Sequence, residues 1–147
     1  MGDLLVDAGE DLNLRSGCPN LIDRIETGLL SHGNDMTLND NPIEAGLDRF
    51  FKMGKAADYL GREALEHIAA AGPERRMVRM IVEGYAIANP RETYPLTVAD
   101  TQGSGCVTSI TFSPRLGFNV GLGYVPADTT ATGTAVTIDT PTGTVTG

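Results

Sequence analysis

The sequence predicts an α+β chain, in which a helical lead-in is followed by a small antiparallel C-terminal β-barrel. Two features of the pattern carry this. Before residue 75 the apolar residues recur at helical spacing, whereas from Arg76 onward they alternate in short runs separated by Gly, Pro, Asp and Thr. Size is the third. A chain of 147 residues suffices for one domain, or one domain plus a fragment, and buries about 68 to 70% of its unfolded surface.

Residues 3–8 read as the end of a helix stopped at Gly9, and residues 12–14 as a short strand before a Ser16-Gly-Cys-Pro turn. Residues 19–30 then form a helix. Leu21, Ile22, Ile25 and Leu29 make one apolar stripe, Pro19 suits a helix start, and Gly33 with Asn34 ends it. Residues 40–57 are mixed: Asn41-Pro42 opens a turn, and Leu47, Phe50 and Phe51 supply apolar contacts. A second helix spans residues 62–71, with Leu65, Ile68 and Ala69 on one face and Gly72-Pro73 as its stop.

In the first strand Met77, Arg79 and Ile81 point one way while Val78, Met80 and Val82 point the other, and Arg75-Arg76 heads it. Further strands are expected at residues 96–99, 106–112, 119–125 and 135–139, which together suggest a barrel or sandwich. Gly103-Ser-Gly105 reads as a hairpin turn. Gly121-Leu-Gly123 lies within a strand with no third glycine and no following helix, so no dinucleotide site is expected. The threonine-rich tail from Thr129 reads as strand and turn with threonine on solvent faces and frayed final residues.

Composition excludes several function classes. A net charge of −8 and a pI near 4.6 leave no basic surface for nucleic acid. No apolar run reaches membrane-span length, and Met1-Gly-Asp-Leu-Leu lacks a basic region followed by an apolar core, so a cytoplasmic chain with no membrane partner is expected. Cys18, Cys106, His32 and His67 have neither disulfide nor ligand spacing, so no metal is expected.

Arg24 is the candidate functional residue. It lies off the apolar stripe of its helix, where its guanidinium reaches the rim of whatever the helix packs against. Two readings follow from the residue alone: a planar fork for a carboxylate or heteroaromatic carbonyl, or an internally paired or solvated arginine. Glu26 can tie the helix to a neighbouring loop, Gly28 permits close backbone approach, and Asp35 suits a turn or cap.

The segments Cys18-Pro-Asn-Leu-Ile-Asp-Arg-Ile-Glu-Thr-Gly28, Asn41-Pro-Ile-Glu-Ala-Gly-Leu47, Asp58-Tyr-Leu-Gly-Arg-Glu-Ala-Leu65, Gly105-Cys-Val-Thr-Ser109, Ser113-Pro114 and Val120-Gly-Leu-Gly-Tyr-Val125 resemble the C-terminal part of the aminomethyltransferase family. This is the folate-dependent family of the glycine cleavage T-protein. Within it, the wording around Arg24 looks most like the dimethylsulfoniopropionate demethylases. The resemblance implies tetrahydrofolate as cofactor, with Arg24 of the Arg-x-Glu-x-Gly motif contacting it. It also implies dimethylsulfoniopropionate as a small-molecule methyl donor, with glycine cleavage aminomethyl transfer or a non-catalytic assembly role as alternatives. His32 stands where the family often has tyrosine. Residues 1–75 would then be the helix-rich end of the folate-binding domain, and residues 76–147 the C-terminal barrel domain. The catalytic residues are expected in the family's N-terminal part, so the resemblance implies either a truncated piece of a demethylase or a companion subunit whose partner supplies the rest, with a homo-oligomer as a further expected partner state. The tail lacks the family's Pro-Phe ending, so the last strand is expected to be clipped.

Overall fold

In the computed structural model, all residues are described except Met1, Asn13, residues 15–19, Ala56, Asp100 and Gln102. The expected turn at residues 16–19, Cys18 and the Pro19 helix start lie outside the described residues. Helices α1 (Gly2–Ala8), α2 (Leu21–Thr27) and α3 (Arg62–Ala71) precede six strands: β1 (Arg75–Val82), β2 (Tyr94–Val98), β3 (Ser104–Ser113), β4 (Phe118–Pro126), β5 (Val136–Thr140) and β6 (Gly143–Thr146). The α+β expectation holds. Strand order is β1-β4-β3-β2-β5-β6, and every adjacent pair is antiparallel.

The sheet curls without closing through a β1 to β6 ladder. Its two ends nonetheless meet, because a Cβ on Gly147 would stand 2.7 Å from the Ile81 carbonyl. Met80, Val82, Leu96, Val98, Val107, Ile110, Val136 and Ile138, drawn from four strands, share one core inside the curl. The alternation expected in β1 is present: Met80 and Val82 are buried, whereas Arg79 and Ile81 face outward. Met80 also explains two glycines of the neighbouring strand. A Cβ on Gly121 or Gly123 would run into its side chain, and on Gly123 also into the Cys106 carbonyl.

Several expectations are corrected. The helix drawn over residues 19–30 is shorter, because Asn20 caps it by accepting from the Asp23 amide and Gly28 ends it at φ 74°. The amides of Gly28 and Leu29 bond back to the carbonyls of Ile25 and Arg24, so Gly33 and Asn34 belong to a later turn. Only Ile25 of the stripe is buried; Leu29, beyond the cap, is exposed.

The strand over residues 12–14 is replaced around Glu10–Leu12 by a 3-10 turn, and Asn13 lies outside the described residues. In the mixed segment Ile43 and Ala45 are buried, whereas Phe50 is exposed. Gly103-Ser-Gly105 is not the hairpin turn: the β2 to β3 connection precedes Ser104, and Gly105 sits in β3 where a Cβ would strike the Tyr124 carbonyl. The tail is not frayed. β6 pairs with β5, and Gly147 exchanges two backbone bonds with Val136, at 2.8 and 2.9 Å.

Candidate functional site

The lead-in meets the sheet through a buried carboxylate. Asp35 follows α2 in a tight turn, where its Oδ2 accepts from the Ser31 amide at 2.8 Å and from Arg24 Nη1, while its side chain is fully buried. Its Oδ1 accepts from Thr108 Oγ1 at 2.7 Å and Ser109 Oγ at 2.6 Å. Those two hydroxyls come from consecutive strand residues, which ordinarily point to opposite faces. An irregularity makes it possible. The β3 to β4 register slips between Val107 and Ser109, so Thr108 is an extra residue and both hydroxyls reach Asp35 while Val107 and Ile110 stay in the core.

Arg24 completes this unit. Its Nη1 donates to Asp35 and to the Leu29 carbonyl at 3.0 Å, and its Nη2 donates to Ser109 Oγ at 2.8 Å. Of the five N–H donors of a guanidinium, Nε and one on Nη2 have no protein acceptor among the described residues. With its side chain only 12% exposed, Arg24 offers one narrow edge to anything outside. Asp35 is therefore more than a turn residue, and the sequence reading missed it. The available signal was Val107-Thr-Ser-Ile110, where two adjacent polar residues break the alternation of a strand.

Glu26 of the same motif behaves as read, whereas Gly28 serves as the left-handed end of α2 and faces a side chain instead of backbone. Glu26 accepts from Ser113 Oγ at 2.5 Å and from Arg115, which ties α2 to the turn after β3. The Ser113 hydroxyl first, and the Arg115 guanidinium with it, hold the Glu26 carboxyl below its ordinary range. Gly28 lies against the Arg79 stem, with 3.1 Å between its Cβ position and Arg79 Cδ. His32 is exposed and bridges to Met36 through its backbone.

A second connection lies at the head of β1. Arg75 bonds Asp40 at 2.5 Å and Glu44 at 3.2 Å, and its guanidinium stands 4.4 Å from the centre of the Tyr124 ring. The Tyr124 hydroxyl beneath it is buried without a hydrogen-bond partner among the described residues. Burial pushes this phenol up to about 12; the Asp40 carboxylate adds to the shift and Arg75 opposes it. Among the described residues, no cluster of three or more His, Cys, Asp or Glu is arranged to hold a metal, and no helix is long and apolar enough to cross a membrane.

Residues 75–146 match the family described as the glycine cleavage T-protein C-terminal barrel domain. Over 139 residues, 95% of the chain, the sequence is 44% identical to the dimethylsulfoniopropionate demethylase DmdA of Ruegeria pomeroyi, covering 37% of that protein. An aminomethyltransferase of Symbiobacterium thermophilum is 36% identical over 92% of the chain and 36% of its own length. The crystal structure of aminomethyltransferase T of the glycine cleavage system from Bartonella henselae superposes with a TM-score of 0.72 at 28% identity, over 84% of this chain and 34% of that one. The chain thus spans about a third of the length of the curated relatives it matches.

Proposed function

The chain belongs to the glycine cleavage T-protein family, and from that membership we propose that it is the C-terminal portion of a tetrahydrofolate-dependent methyltransferase that demethylates dimethylsulfoniopropionate in the cytoplasm. The observation that carries the choice of donor is the 44% identity to a demethylase over 95% of the chain, against 36% to an aminomethyltransferase over a similar span. Bound folate would supply N5 as the atom that takes the methyl group, with a neutral thioether leaving and a proton released. Positioning would carry much of such a rate. The groups that hold the sulfonium are assigned to the family's N-terminal part.

In this reading residues 1–75 end the folate-binding domain and residues 76–147 form the barrel domain. Arg24 is the residue proposed to meet tetrahydrofolate, and two of its N–H groups fit that use. Its other three are engaged within the protein, two on Leu29 and Asp35 of the lead-in and one on Ser109 of the barrel, so its contact with a ligand would be an edge contact. That same commitment favours a second reading, a non-catalytic assembly module in which Arg24 is structural only.

The test joins this chain to the N-terminal portion of the Ruegeria pomeroyi demethylase, in place of the matching segment. Methylated folate formed from dimethylsulfoniopropionate is the expected product. Turnover restored only behind an aminomethyltransferase N-terminal portion would move the chain to that branch, and a folded chimera inactive in both settings would support the assembly role. Arg24→Lys in the active chimera keeps a cation for Asp35 and removes the fork. Weaker folate binding with unchanged unfolding supports the ligand role, and the converse removes it.

A further inference from the structure

We propose that the cleft between the end of α2 and strand β1 is a carboxylate-binding site with Arg49 and Arg79 as its cationic walls. The cleft has a volume of about 160 Å³ and is lined by both arginines, by Gly28, and by Leu30, Met77 and Leu122. Charge bookkeeping singles it out. Arg24, Arg62, Arg75, Arg76 and Arg115 each hold a carboxylate, whereas Arg49, Arg79 and Arg91 hold none among the described residues, and only the first two of these line one cleft. In a chain of net charge −8, two exposed guanidiniums border one small cleft whose lining contains no acid, so an anion seated there would meet both.

Both side chains are braced. The Arg79 stem lies against the left-handed turn at Gly28, where any side chain would crowd it, since a Cβ would stand 3.1 Å from its Cδ. The Arg49 guanidinium is stacked over the Phe50 ring, 4.7 Å from its centre. Chemistry of the floor narrows the ligand. Leu30, Met77 and Leu122 belong to the apolar cluster around Ile25, so the cleft suits a carboxylate on a hydrocarbon stem better than a bare inorganic anion. Neither arginine belongs to the Asp35 unit, although Gly28 of the Arg24 motif forms part of the wall.

Two carboxylates carry that chemistry if the proposed function is right, and to that extent the identity of the ligand rests on it: the glutamyl end of folate and the acid group of dimethylsulfoniopropionate. The test uses the isolated chain and reads binding only, so its failure leaves the methyl-transfer assays untouched. p-Aminobenzoyl-glutamate, dimethylsulfoniopropionate and inorganic phosphate are titrated separately while backbone amide resonances are followed. One of the two carboxylates is expected to shift Gly28, Gly46 and Leu47 saturably, and whichever does so is the source. Arg49→Gln with Arg79→Gln should weaken it about tenfold or more, with unchanged thermal unfolding, whereas Arg91→Gln should leave it unaltered. Binding that survives the double substitution, or no binding by either carboxylate, would overturn the site. Phosphate binding as tightly as the carboxylates would also overturn it, because the apolar floor would then have no role.

Discussion

Helices α2 and α3 differ in the opposite sense to their local sequence. α3 has ten residues rich in Ala and Glu, an Arg62 to Glu66 pair one turn apart, and Gly72 as its stop, yet none of its residues is buried. The seven-residue α2 is poorer in helix formers, but it buries Ile25 against Val120 and Leu122 and anchors Arg24 on Asp35. Propensity makes a helix, and one buried apolar residue with one buried ion pair decides which helix belongs to the fold.

The largest expected effect breaks that difference outright. Asp35→Ala leaves Arg24 and two hydroxyls without their acceptor and should destabilise the chain by about 3 to 5 kcal/mol, measured by urea unfolding; a loss below about 1 kcal/mol, the range of exposed pairs, would place α2 beside α3. An alkaline titration sharpens the contribution of the Arg75 connection. The Tyr124 phenol ionises near 12 when folded but near its ordinary value of 10 when unfolded, so the unfolded chain loses the proton first as pH rises. Stability should therefore fall by about 2 kcal/mol between pH 10 and 12. Tyr124→Phe should abolish this fall; a slope unchanged by the substitution would remove Tyr124 as its source. The smallest effect belongs to α3. Ile68→Ala should change stability by less than about 1 kcal/mol, and α3 amides should exchange with solvent well before those of α2, an order whose reversal would show α3 to be packed.

Five of the six strands were legible because alternation over several residues is a strong signal, whereas β6 fell in the tail whose final residues were read as frayed. Residues 62–71 were likewise bounded correctly, with Gly72 as the stop. What escaped depended on partners distant in sequence. Gly28 ends α2 because the chain must turn back toward Asp35, and no local pattern distinguishes it from Gly33. Phe50 looks like core by type, yet the core is filled from the sheet, and Phe50 instead supports Arg49. The motif residue Arg24 was identified, but its acceptor was not, because the unit requires a strand irregularity 73 residues beyond Asp35.

A double-mutant cycle on Arg24→Met and Asp35→Asn, read by equilibrium unfolding, tests most directly whether this pair locks together the lead-in unit that meets Thr108 and Ser109 of the barrel. The amide in place of the carboxylate keeps the size of the side chain and removes its charge, so the cycle isolates the ionic link. A coupling of about 2 kcal/mol or more is expected for contacting residues in one buried network. Additive single effects, with coupling near zero, would contradict the lock.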